Sequence, residues 1–199
     1  MSDGADGTTV HRGRGKLLLL ALIFLGPLVA AAWLYFGNQA WQPGGRTNHG
    51  ELLAPIVNVN EQPGVPSLAE LAGTGAAGRW VIVYANSSAC EAACRDALYR
   101  MRQSRLMLGN DMSRVARVFL HGDLPPDKVW LDDQHEGLIT ISNAGLGTVL
   151  DRKRPDGSAP GGLFLVDPLG NLVMYFAADL APDDMVSDIE HLLELSRIG

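Results

Sequence analysis

Arg79-Trp80-Val81-Ile82-Val83-Tyr84 runs directly into Ala85-Asn86-Ser87-Ser88-Ala89-Cys90 and then Glu91-Ala92-Ala93-Cys94. The first six residues form a short β-branched and aromatic run, bounded upstream by the turn cluster GTGAAG, and predict a buried strand. The polar loop supplies helix-starting side chains, and a helix is predicted from about Cys90 to Leu108. Ala93, Ala97, Leu98, Met101 and Leu108 fall on one face of that helix, while Arg95, Asp96 and Arg102 lie elsewhere. Gly109-Asn110 is a natural stop.

Downstream, Arg114 to Leu120 (RVARVFL) reads as a second strand. Two such strands joined through a helix make the parallel, right-handed βαβ unit. Gly162–Val166 and Leu172–Phe176 read as a pair of strands around the turn Asp167-Pro168-Leu169-Gly170-Asn171, a hairpin. A last helix from about Pro182 to Arg197 places Met185, Ile189, Leu192 and Leu193 on one face. Strand, helix, strand, hairpin and helix is the order of a thioredoxin-like α/β fold, a central sheet flanked by helices.

Upstream, Leu17 to Phe36 (LLLLALIFLGPLVAAAWLYF) carries no charge. At about 1.5 Å per residue such a helix spans roughly the 30 Å hydrocarbon core of a bilayer. Arg12, Arg14 and Lys16 precede it, and the next basic residue is Arg46, so the positive-inside rule puts the N-terminus in the cytoplasm. The expected layout is a cytoplasmic tail over 1–16, a single transmembrane helix over 17–36, a tether over 37–50 and the thioredoxin-like domain over 51–199. For a bacterium this places the domain in the periplasm, anchored in the inner membrane. A cleaved signal peptide is the alternative, although its apolar core is ordinarily shorter, about 7–15 residues.

Composition narrows the function. Of 199 residues, 47% are hydrophobic and 19% charged, against disorder or a coiled coil. A net charge of −6 argues against a nucleic-acid partner, which requires a basic face. Two cysteines exclude a four-cysteine zinc module. No nucleophile elbow, phosphate loop or recognisable carboxylate pair is present.

Cys90 and Cys94 are the only cysteines, spaced C-x-x-x-C at a helix start. Residues four apart share a helix face, so both sulfurs can meet or hold one ion. Free N–H groups and the positive end of the helix dipole stabilise a thiolate, which is both the nucleophile of disulfide exchange and a soft ligand for Cu(I). Asn86, Ser87 and Ser88 are candidate caps for that turn. The competing reading is a passive structural disulfide.

VIVYANSSACEAAC, a helix, a strand and then LFLVDPLGNLVMYF resemble the SCO/SenC family of cytochrome oxidase assembly proteins, over about residues 51–197. The resemblance implies a membrane-anchored thioredoxin fold that binds copper through Cys90, Cys94 and a distant histidine, with a cytochrome c oxidase subunit as partner. Two positions depart from the family. Arg95 stands where the family has proline, and Ala159 stands where the ligand histidine is expected. His121, at the end of the second strand, is the best-placed substitute ligand, although a solvated loop histidine is its ordinary reading. His135, in the acidic run DDQHEG, is expected to face solvent.

Ala159-Pro160, just before GGLFLV, is a candidate for the cis-proline that faces the cysteines in many thioredoxin-like proteins, with a backbone carbonyl free to pair with a mixed-disulfide partner. The run Arg152-Lys153-Arg154 and the arginines 95, 100, 102 and 105 read mainly as solvated charge. Three functions compete: assistance to oxidase assembly through thiol or copper chemistry, a general periplasmic thiol–disulfide oxidoreductase, and a non-catalytic scaffold.

Overall fold

A computed structural model describes residues 48–196, together with 16, 19–29 and 32–33. The chain divides into two compact units, Met1–Thr47 and Asn48–Gly199. In the first, residues 19–29 are helical. The side chains of Leu19, Leu22, Phe24, Leu28 and Trp33 are exposed. Among the described residues no helix is long and apolar enough to cross a membrane. The rest of the expected span, most of the tail and the tether up to residue 47 lie outside the described residues.

The second unit is a six-stranded mixed sheet in the order β1-β6-β5-β2-β3-β4. Its strands are β1 (Glu51–Asn58), β2 (Trp80–Asn86), β3 (Val115–His121), β4 (Leu138–Ile141), β5 (Gly162–Val166) and β6 (Asn171–Phe176). Its helices are α1 (Leu68–Ala72), α2 (Ala92–Met107), α3 (Lys128–Gln134), α4 (Ala144–Lys153) and α5 (Pro182–Leu195). β2 pairs parallel with β3 and antiparallel with β5, and β3 pairs parallel with β4. The expected crossover and hairpin are both present. Beyond the sequence reading, the sheet gains β1 and β4, and α1, α3 and α4 join the helices.

Alternation along β2 divides the core between two faces, because successive side chains of a strand point to opposite sides. Trp80, Ile82 and Tyr84 pack with Ala97, Leu98 and Met101 of α2 and Met185 and Ile189 of α5. Val81, Val83 and Ala85 pack on the other side with Leu146 and Leu150 of α4. Both faces of β2 are therefore sealed. At the hairpin, Asp167 accepts from the backbone N–H groups of Leu169 and Asn171 at 2.9 and 2.8 Å, which closes the turn. The left-handed backbone of Gly170, φ 92°, completes it.

Asp188 of α5 is buried and accepts hydrogen bonds from the backbone N–H groups of His49 and Gly50, at 3.1 and 2.7 Å. These bonds tie residues 49–50 to the last helix. Replacing Asp188 by Ala strands two backbone donors and is expected to cost about 1–3 kcal/mol, read as a lowered urea midpoint. The exposed Asp183→Ala control on the same helix is expected to change stability by no more than about 0.5 kcal/mol.

Candidate functional site

The site is built at the carboxyl edge of the parallel strands. β2 ends at Asn86, opposite His121 of β3. Asn86 folds the following loop onto itself: its Oδ1 accepts from Ser88 N–H at 3.2 Å, and its Nδ2 donates to the Ser88 carbonyl at 3.3 Å. Gly122 N–H donates to the Asn86 carbonyl at 3.2 Å. A Cβ at Gly122 would overlap the Ser87 carbonyl, so glycine lets the two loops close.

Cys90 and Cys94 are joined in a disulfide, with Cα atoms 5.1 Å apart. Helix α2 begins at Ala92, two residues later than expected, so Cys90 precedes the helix and Cys94 lies in its first turn. The first helical bond runs from Arg95 N–H to the Glu91 carbonyl at 2.9 Å. The amides of Ala92, Ala93 and Cys94 thus stand at the positive end of the helix without intrahelical acceptors. No side chain caps this end, and the side chain of Asn86 bonds Ser88 in its own loop instead. Cys94 is 4% exposed, whereas Cys90 is half-buried. Of the two residues, Cys90 is the more exposed.

The other sequence candidates are distributed along the same edge. His121 Nδ1 lies 2.7 Å from the Gly122 carbonyl. A carbonyl partner makes Nδ1 the donor and leaves Nε2 as the acceptor. His121 also lines a cavity of about 260 Å³ whose walls include Asn86, Ser87 and the start of α4. Among the described residues no three His, Cys, Asp or Glu side chains are gathered to hold an ion. His121 is therefore not brought together with the two sulfurs as a third donor. With those sulfurs bonded to each other, the residues present do not make a three-donor copper centre.

Pro160 is exposed near the β5 end of the edge, just before Gly162, which pairs with Ala85. Its peptide bond is trans, since the only cis peptide among the described residues is Ala54–Pro55. The Ala159 carbonyl is not free either, for it accepts from Arg154 Nη1 at 3.3 Å. The cis-proline expectation is corrected on both points.

Sequence reasoning missed a buried polar group beside the cysteine helix. Arg95, directly after Cys94, holds its guanidinium 4.7 Å from the centroid of the Trp130 ring, a cation–π contact. On that ring the His135 imidazole packs edge-on at 4.7 Å. His135 is 3% exposed, not solvent-facing, because it caps the end of α3 and turns inward onto Trp130. Burial, reinforced by the charges of Arg117 and Arg102, pushes its pKa down to about 4. Arg117 itself is 3% exposed, and its Nη2 donates to the Glu136 carbonyl at 2.6 Å. Burial, with Arg105 and Arg102 nearby, pushes its pKa down to about 10, still charged at neutral pH. The acidic neighbours of His135 point to solvent instead.

Residues 80–196 match the family model described as transmembrane-like, thioredoxin-like, C-terminal domain, and residues 9–38 match a second model, transmembrane-like, N-terminal domain. No curated protein matches the chain. Among solved structures, yeast Sco1 is similar at 18% identity and a TM-score of 0.50, covering 61% of this chain and 83% of that one. Sco1 from Thermus thermophilus is similar at 18% identity, covering 72% and 92% with a TM-score of 0.48. The copper-bound ScoI of Arabidopsis thaliana is 18% identical over 60% and 87%, with a TM-score of 0.48. At these identities the likeness to yeast Sco1 is one of fold, a thioredoxin-like sheet with flanking helices.

A histidine whose folded pKa lies below its unfolded value stays neutral in the native state while the unfolded chain takes up the proton. Stability is therefore expected to fall as pH drops from about 6.5 to about 4, and to level off below that, by roughly 1–3 kcal/mol. The difference between wild type and His135→Gln in urea unfolding across this window, in low-salt buffer without halide, isolates the effect.

Proposed function

The chain belongs to the family of transmembrane-like, thioredoxin-like C-terminal domains, and from that membership we propose that it is a membrane-anchored thiol–disulfide protein acting on cysteines outside the cytoplasm. One observation carries this reading: a disulfide at a helix N-terminus on the open edge of the sheet, with Cys90 half-buried and Cys94 sealed. In the proposed layout, 1–16 is the cytoplasmic tail, 17–36 crosses the inner membrane, 37–50 is the tether and 51–199 is the periplasmic domain. The proposed target is a disulfide between the copper-site cysteines of a cytochrome c oxidase subunit, or another periplasmic thiol protein.

The chemistry runs from the reduced form. The Cys90 thiolate attacks one sulfur of the target disulfide, and the other target sulfur leaves as a thiolate. Cys94, as a thiolate at the helix N-terminus, then attacks the Cys90 sulfur. The target leaves as a dithiol, having gained two electrons, and the Cys90–Cys94 disulfide is restored. The bond in the structure is the oxidised end of this cycle. We assign only His121, at the end of β3 opposite Asn86, to the surface on which the target chain lies.

The reduced full-length protein is expected to reduce an oxidised copper-site peptide. Cys90→Ser is expected to lose the activity, and Cys94→Ser to accumulate the mixed disulfide, seen by mass spectrometry. A Cu(I) titration of the reduced protein against a competing chelator separates the alternatives. Stoichiometric, sub-micromolar binding lost in Cys94→Ser would replace thiol exchange with a metal function. Full cellular activity in the double serine variant would leave only a scaffold.

A further inference from the structure

Arg117 is a permanent cation inside the protein. A guanidinium stays charged at neutral pH, and a buried charge is costly unless a counter-charge meets it. Among the described residues no carboxylate pairs with Arg117: the ion pairs of arginine and lysine join Arg100 to Asp96, Arg114 to Asp111, Lys128 to Asp132 and Arg154 to Asp151. The charges that do act on it are those of Arg102 and Arg105, which repel. Of its donors, only Nη2 is engaged, and Nε and Nη1 meet no protein acceptor.

A second buried polar group stands at the same corner. Arg117 pairs in register with Leu138, and its Nη2 holds the Glu136 carbonyl, so the guanidinium reaches the turn from His135 to Leu138. His135 Nδ1 is buried there and has no protein partner. The Glu136 side chain points to solvent and only its carbonyl is used. A cavity of about 370 Å³ has Lys128, Asp132, His135, Glu136 and Leu138 in its wall, on the His135 side of this corner.

We propose that the corner between Arg117 and His135 binds a small monovalent anion of halide size. The anion accepts from Arg117 Nη1 and from the His135 Nδ1 proton, and its charge offsets the guanidinium. A water molecule would satisfy the donors and leave the charge unbalanced, which is why the site selects an anion. Nothing in this inference depends on the reaction of the cysteines, so it stands or falls separately from the thiol reading.

The test uses the full-length protein in detergent, with bromide replacing gluconate at constant ionic strength. A ligand that binds only the native state raises stability with the logarithm of its saturation, so the melting temperature is expected to climb once bromide exceeds its dissociation constant. Arg117→Met, which fills the same space without charge, is expected to abolish that bromide-specific climb. Should this variant not fold, the wild-type protein still decides the matter. Bromide should shift the ring nitrogen resonances of His135 saturably, while those of the exposed His191 stay in place. A melting temperature indifferent to the exchange of anions, an equal response in Arg117→Met, or a His135 ring unmoved by bromide overturns the proposal and leaves the corner to water.

Discussion

The position of β2 governs everything at the site. This strand lies between β3 and β5, is apolar on both faces, and ends in a loop that must emerge at the carboxyl edge of the sheet. With both faces apolar, hydrophobic patterning alone would tolerate a one-residue slip. Contacts at the strand's end fix the register instead. Asn86 closes its turn on Ser88, Gly122 admits the Ser87 carbonyl, and Gly161 lets the backbone pass close to the Tyr84 hydroxyl. Once that end is set, α2 must return across the face carrying Ile82 and Tyr84, and its first turn carries Cys94 back to Cys90.

What was legible in the sequence is what local chemistry dictates. RWVIVY and RVARVFL are apolar runs too short for helices, and DPLGN is a turn whose aspartate and glycine do identifiable work, so the crossover and the hairpin could be read directly. The missing elements lack such signals. β1 contains Pro55 and breaks register between Leu52 and Val57, and β4 is only four residues long. Helix α4, AGLGTVLDRK, carries two glycines, each a poor helix former, and depends on Leu146 and Leu150 packing under the sheet. Its Asn143 cap, bonded to Leu146 N–H at 2.8 Å, is legible only once the helix is known.

The site was legible as residue types and obscure as geometry. The cysteine spacing lets the sulfurs meet or hold one ion, yet the half-buried Cys90 and the buried Cys94 depend on where the helix starts, and a two-residue error there changes which cysteine sits in the first turn. His135 is the sharper case. Three acidic side chains in DDQHEG suggest water, and Asp132, Asp133 and Glu136 are indeed exposed. The imidazole between them points the other way, because the end of α3 places it over Trp130. A neighbour's polarity says little about a side chain at a helix end, where one residue's rotation separates solvent from core.

Copper binding and thiol exchange ask different things of these residues. A soft ion needs donors converging on one point, and a third ligand must come from an element that can reach both sulfurs. At the position where the resemblance would put a histidine, Ala159 offers only a carbonyl already bonded to Arg154. The remaining histidine on this edge, His121, is oriented by the Gly122 carbonyl and lies on a strand end beside Asn86. Disulfide exchange makes a lighter demand: one more exposed cysteine, one protected cysteine, and a helix end to hold negative charge. The asymmetry between Cys90 and Cys94 meets that demand with no residue beyond those in the loop and the first turn of α2.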